Sequence, residues 1–166
     1  MIMKGKHSSV FLFGRFAIKR FHKGFERNAA KEFDALKRLR KYKLAPRPYV
    51  LFGRTLIMSR VRGKPIKDMT RHEVMSLAPD FLKALHILDV LKIKKEESHR
   101  PLKHFFKTKK GIRMIDFERS HPGTGNVTQF LAFLERYFKG ITKLGKRYKQ
   151  NGDLDKILEF IASNGP

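Results

Sequence analysis

The sequence predicts an α+β chain in which a small antiparallel sheet carrying one helix precedes a mainly helical half. Three observations predict this. Residues 8–21 and 49–61 alternate apolar and polar side chains around Gly-Arg pairs, the pattern of hairpin strands. Residues 26–42 space their apolar side chains as a helix does, and after Gly63-Lys64-Pro65 helical spacing dominates. Two lobes are therefore expected, at residues 1–62 and 63–166.

Val10, Phe11 and Phe13, then Phe16, Ile18 and Phe21, flank Gly14-Arg15, a dipeptide suited to a tight turn. From Glu26 to Tyr42 the apolar Ala29, Phe33, Leu36 and Leu39 make one face of a helix, with Asp34 and Arg38 one turn apart. Pro46 and Pro48 end it. Residues 49–52 and 55–61 are two further strands around Gly53-Arg54. Thr70 and Glu73 have capping-box spacing, in which each side chain serves a backbone amide at a helix start. Residues 80–91 present Phe81, Leu82, Leu85, Leu88 and Leu91 on one face. Phe105-Phe106 and residues 112–115 read as a short hairpin ending at Asp116-Phe117. Asn126 is expected to cap a long helix through Phe130, Leu134, Phe138 and Ile141, and a last helix spans about residues 153–162.

The chain has 166 residues, 38 Lys and Arg against 15 Asp and Glu, and no Cys or Trp. The missing cysteines exclude a disulfide scaffold, zinc ribbons and thiol chemistry, and 15 Phe supply much of a core. The longest uncharged run, residues 120–134, is 15 residues with three Gly or Pro, too short and too broken for a membrane span. The N-terminus lacks a long apolar stretch and reads as mature structure, so no membrane partner and a cytoplasmic setting are expected. A net charge of +23 attracts polyanions at long range, which admits nucleotides, RNA or an acidic protein, and equally suits a solubilising surface. The basic residues gather at 37–43, 100–110 and 139–149.

Four short motifs stand in a telling order. Phe16-Ala17-Ile18-Lys19 puts a lysine on the second strand, and Glu32 follows 13 residues later on the helix. Residues 56–63, Leu-Ile-Met-Ser-Arg-Val-Arg-Gly, form a strand and its exit, and Met114-Ile115-Asp116-Phe117-Glu118 closes the hairpin. Together they resemble the small atypical kinases of the RIO and KEOPS type, and more closely the short archaeal proteins described as serine/threonine protein kinases. The resemblance runs from Gly5 to about Phe138 and implies a minimal bilobal protein-kinase-like fold, with ATP and Mg bound between the lobes and phosphoryl transfer. It implies that Lys19 holds phosphates and is clamped by Glu32, that backbone at Met58 and Ser59 meets adenine, and that Asp116 binds Mg.

The resemblance also carries substitutions. Residues 5–10, Gly-Lys-His-Ser-Ser-Val, hold one glycine where a phosphate loop usually has three, so Gly5, Ser8 and Ser9 would cover the phosphates. Arg100-Pro101-Leu102-Lys103-His104 looks like the short archaeal version of the catalytic loop, with His104 as a second metal ligand where Asn is usual. That alignment puts His99 where a catalytic Asp would accept the substrate proton, with Glu97 as the nearby alternative. Three readings follow: an ATP-dependent atypical kinase or ATPase with protein substrates, an inactive pseudokinase scaffold, and a basic RNA- or ribosome-associated module.

Overall fold

A computed structural model describes residues 2–96 and 98–165. The chain forms two compact units, residues 1–63 with 113–120, and residues 64–112 with 121–166.

The first unit is built on a five-stranded antiparallel sheet of β1 (Ile2–Lys4), β2 (Ser8–Phe13), β3 (Phe16–Phe21), β4 (Pro48–Phe52) and β5 (Thr55–Ser59), in the spatial order β1-β2-β3-β5-β4. Both expected hairpins are present, and β1 is an added edge strand. The register Val10↔Lys19↔Leu56 gives Ala17, Lys19 and Phe21 the same face as Leu56 and Met58, because side chains alternate along a strand. Those five are buried, with the helix α1 (Glu26–Leu39) contributing Ala29, Ala35, Leu36 and Leu39 to the same core. A short 3-10 turn, Arg40–Tyr42, ends at Lys43 in the left-handed conformation. Leu44 just beyond it accepts a 2.7 Å hydrogen bond from the Met114 amide, which ties the approach to Asp116 into this unit.

The second unit begins with β6 (Lys64–Pro65) and α2 (Arg71–Val90). Thr70 and Glu73 close the expected capping box, and the helix runs on through Pro79 and ends one residue before Leu91. There follow β7 (Ile93–Lys94), β8 (Phe105–Thr108), β9 (Gly111–Met114), whose last two residues belong to the first unit, and β10 (His121–Pro122), with β6 pairing β8 and β7 pairing β10. The helices α3 (Asn126–Leu134), α4 (Leu144–Asn151) and α5 (Asp155–Asn164) complete it. Phe81, Phe105, Phe130 and Phe133 form a ring-on-ring core with centroids 5.4 to 5.9 Å apart.

The long helix expected from Asn126 to Ile141 stops at Leu134. Glu135 reaches forward to accept hydrogen bonds from the amides of Gly140 (2.6 Å) and Thr142 (3.0 Å), while Gly140 takes φ +87°. Nor does Asn126 cap its own helix. It is the first helical residue, Gly125 stands before it at φ +98°, and the Asn126 side chain reaches back to Lys95, Asp89 and Ile93.

Candidate active site

Lys19 lies on the inner face of β3, in the middle of the sheet, where an unpaired ammonium would be prohibitively desolvated. Its Nζ instead meets three carboxylates, at 2.7 Å from Glu32 Oε2, 2.9 Å from Asp116 Oδ1 and 2.9 Å from Glu118 Oε2. Burial pulls the Lys19 ammonium down, but Glu32, Asp116 and Glu118 outweigh it and hold the group above its ordinary value, so it is charged. Glu32, on the buried stripe of α1, is the most enclosed member. Burial pushes its carboxyl up from the ordinary value, against the pull of Lys19. Its second oxygen accepts the Phe117 amide at 3.2 Å, so one side chain orients both the lysine and the segment bearing Asp116.

Asp116 has φ +66°, in the left-handed region that Asp and Asn tolerate and bulkier residues avoid. That turn of the backbone comes two residues after β9 ends and leaves the carboxylate about a third exposed, the most accessible of the three. The chain then brings Glu118 to the same ammonium. The other Glu118 oxygen is 2.7 Å from His7 Nδ1, on the loop between β1 and β2. The His7 ring stacks on Phe25 at 4.4 Å, and its carbonyl accepts the His22 amide, which fixes the loop over the cluster.

Glu32, Asp116 and Glu118 each offer an oxygen, and these lie within 4.8 Å of one another. A hard divalent cation prefers such a donor set, so the residues fit Mg. Asp116, the most accessible of the three, is the oxygen donor best placed to reach such a cation.

The sequence-derived residues divide accordingly. Lys19, Glu32 and Asp116 are brought together in the first unit. Ser8 and Ser9 lie on opposite faces of β2, since Ser8 pairs across from Phe21 and Ser9 from Arg20. Only Ser8 shares the face of Lys19. The Gly5 amide donates to the Ser8 carbonyl at 2.8 Å, and a Cβ on Gly5 would sit 3.2 Å from that oxygen, so the turn is tight. Met58 is buried on β5, and the Ser59 amide and hydroxyl are both engaged by Arg47. His99 is exposed and His104 half-buried, both in the second unit, and Glu97 lies outside the described residues. In that same segment Glu96 Oε1 is 2.7 Å from His121 Nε2, across the β7–β10 pair.

Sequence reading overlooked Glu118 and His7. Glu118 carries only the signal of standing two residues from Asp116, because the left-handed turn at Asp116 breaks the alternation of extended chain. His7 had none, since its pairing spans 111 residues.

This combination of a five-stranded sheet with one helix, a lysine–glutamate pair and an aspartate after a hairpin defines a protein-kinase-like fold. Solved structures agree. The Rio2 kinase from Chaetomium thermophilum, in a complex with ADP, Mg2+ and phosphoaspartate, superposes with a TM-score of 0.64 at 15% identity, over 99% of this chain and 68% of that one. The aminoglycoside phosphotransferase APH(2'')-Ib bound to ADP gives 0.58 at 15% identity, over 97% and 89%. The streptomycin–ATP ternary complex of APH(2'')-IIa gives 0.61 at 16% identity, over 96% and 83%. No protein-family model and no curated protein sequence matches the chain. Among the described residues no helix is long and apolar enough to cross a membrane.

Proposed function

We propose that the chain binds ATP with Mg at the Lys19 cluster and acts as an atypical kinase-like phosphotransferase, with the lobes expected at residues 1–62 and 63–166 as its working parts. One observation carries this reading: a buried lysine held by three carboxylates, one of them about a third exposed on a left-handed backbone turn. A purely structural ion pair would need only one partner. Lys19 would hold the phosphate oxygens, Glu32 would keep it extended along the sheet, and Asp116 with Glu118 would hold Mg. The metal would draw negative charge off the transferring phosphoryl group.

Ser8 and the Gly5 turn would cover the phosphates, and backbone near Met58 and Ser59 would meet the adenine. His99 or Glu97 would accept the acceptor's proton, and His104, when neutral, would add a metal ligand. A protein hydroxyl of serine or threonine is the acceptor this reading favours, as in the short archaeal kinases and the RIO and KEOPS types that the motifs resemble, in a cytoplasmic setting.

The test is the melting temperature with ATP and Mg, with ATP and a chelator, and with neither. A ligand bound only to the folded state adds about 2.7 kcal/mol at a hundredfold excess over its dissociation constant. Release of ADP, with phosphate appearing on protein, then separates a kinase from a pseudokinase that binds nucleotide without turnover. No shift at millimolar ATP would remove the reading.

A further inference from the structure

The sheet of the first unit has a second face, and that face is not built like a solvent-facing one. In an antiparallel sheet with one face packed on a helix, the outward positions are usually polar. Here the register runs Ile2↔Phe11↔Ile18↔Ile57↔Val50, one apolar row crossing all five strands on the side opposite Lys19. The adjacent row pairs Phe13 with Phe16, whose ring meets Tyr49 edge-on at 5.6 Å, and Phe52 lies at the other side of the Ile row. Phe13 is 66% and Phe52 84% exposed, and the Phe11 and Phe13 rings lie nearly parallel, 11° apart in tilt. Apolar surface gathered this way marks a contact site.

Charge narrows what the contact is with. None of the five strands and neither hairpin turn contains an Asp or Glu. Lys4 and Arg20 share the outward face through their common partner Ser9, and the Arg15 and Arg47 guanidinium groups lie over the Phe16 and Tyr49 rings at 5.3 and 5.6 Å. A second copy would bring like charge against like, on a chain already at +23. Exposed aromatic rings interleaved with arginines, without carboxylates, suit a ligand with flat apolar faces and a regularly charged backbone. That is unpaired nucleic acid, whose bases stack on rings while phosphates meet the cations. RNA is the form that commonly presents unpaired bases.

We infer that the outer face of this sheet binds single-stranded RNA, with Phe11, Phe13, Tyr49 and Phe52 as stacking rings and Lys4, Arg15, Arg20 and Arg47 as phosphate contacts. Five strands make the platform roughly 19 Å wide, enough for a few nucleotides. The inference does not rest on the nucleotide reading, because none of these residues belongs to the Lys19 cluster.

The experiment is fluorescence anisotropy with a labelled single-stranded RNA of about 12 nucleotides of mixed A and U, between about 50 and 200 mM salt. Wild-type protein binds, and its affinity falls with salt. The double variant Phe13→Ala, Phe52→Ala loses about 25-fold or more in affinity with the salt slope unchanged, because stacking is worth roughly fivefold or more per base. Arg15→Gln with Arg20→Gln lowers both affinity and slope. Lys109→Gln with Lys110→Gln, an equal charge loss in the second unit, changes affinity much less. Ultraviolet cross-linking of wild-type protein to the same RNA gives adducts at Phe11, Phe13 or Phe52, and this readout stands if the aromatic variant folds poorly. The inference is overturned if the wild type does not bind, if the aromatic variant binds equally well, if adducts map only elsewhere, or if the wild type is a dimer that this variant splits. Retention of the ATP-induced thermal shift in the Phe13/Phe52 variant keeps the two readings separately testable.

Discussion

Asp89 in the second unit and Glu32 beside Lys19 in the first are both buried carboxylates, yet their surroundings differ in kind. Asp89 accepts from the Asn126 amide at 2.9 Å, the Asn126 side chain at 2.7 Å, the Val127 amide at 3.2 Å and the Tyr148 hydroxyl at 3.1 Å. Four donors match the four acceptor sites of a carboxylate. Burial and the Asp89 charge hold the Tyr148 phenol above its ordinary value, so it remains a donor. That network starts α3 and, through Asn126, holds the Lys95 amide at 2.8 Å. Around Lys19, by contrast, three carboxylates share one ammonium, with His7 on Glu118. Asp89 is satisfied by neutral donors and sits in a finished structure. The Lys19 cluster instead gathers three carboxylates at one ammonium and leaves one of them, Asp116, about a third exposed, where a ligand can reach it.

The largest test of this contrast is Asp89→Ala. It strands two helix-start amides and a phenol, each costing about 1–3 kcal/mol when buried and unpaired, so the loss should be about 3–5 kcal/mol after water entry. A fall in melting temperature of roughly 10 °C or more is expected. If Asp89→Ala melts like the wild type, the network is not structural.

Lys19→Ala and Asp116→Asn should instead act on ligand response. Each should abolish most of the shift of about 2.7 kcal/mol that a hundredfold excess of ATP with Mg produces. Asn is the right replacement at position 116 because it tolerates the left-handed backbone there. With Lys19 held above its ordinary value, its contribution to stability is complete at neutral pH and is lost only as pH rises through that raised value. An intact ATP shift in Lys19→Ala would move the nucleotide away from this cluster.

Glu118→Gln sharpens the contrast from the other side. Removing one of three crowded charges while keeping the shape should leave the unliganded protein as stable, or up to about 1 kcal/mol more so, while weakening the Mg-dependent part of the shift. Calorimetry with Mg-ATP and plain thermal melting read the two effects separately. Destabilisation beyond about 2 kcal/mol would make Glu118 a structural prop.

The hairpins, α1 and the capping box at Thr70 were legible because each is set by local alternation, spacing or capping chemistry. Lys19, Glu32 and Asp116 were legible because a charged residue in an apolar run stands out and three stood in a known order. The helix expected to Ile141 was misjudged because apolar spacing continues past Leu134 while Glu135 spends its carboxylate on the next turn's amides. Asn126 in sequence suits a local cap, but its partners lie 31 to 37 residues away, and a polar side chain does not announce such distances. The outer sheet face was not legible, because a high Phe count reads as core and only the strand register shows Phe11, Phe13 and Phe52 on the side away from α1.

The smallest expected effect is at His121. Its Nε2 is 2.7 Å from the Glu96 carboxylate and its Nδ1 is 3.0 Å from the Pro122 carbonyl. Both partners are acceptors while Glu96 is ionised, an arrangement that favours the form of the ring with a proton on each nitrogen. The Glu96 hydrogen bond, then the Pro122 carbonyl, raise His121 above its ordinary value, against burial and Lys94. A raised folded value means that the pair's contribution is complete below the unfolded histidine value of roughly 6.5, and is lost as pH rises through the folded one. Both side chains are well exposed, so solvent keeps that contribution under about 1 kcal/mol. An NMR titration should place the His121 midpoint above the ordinary value, and Glu96→Gln should bring it down. A midpoint that is the same in both proteins would mean that Glu96 does not hold the proton there, leaving the β7–β10 pair to backbone hydrogen bonds alone.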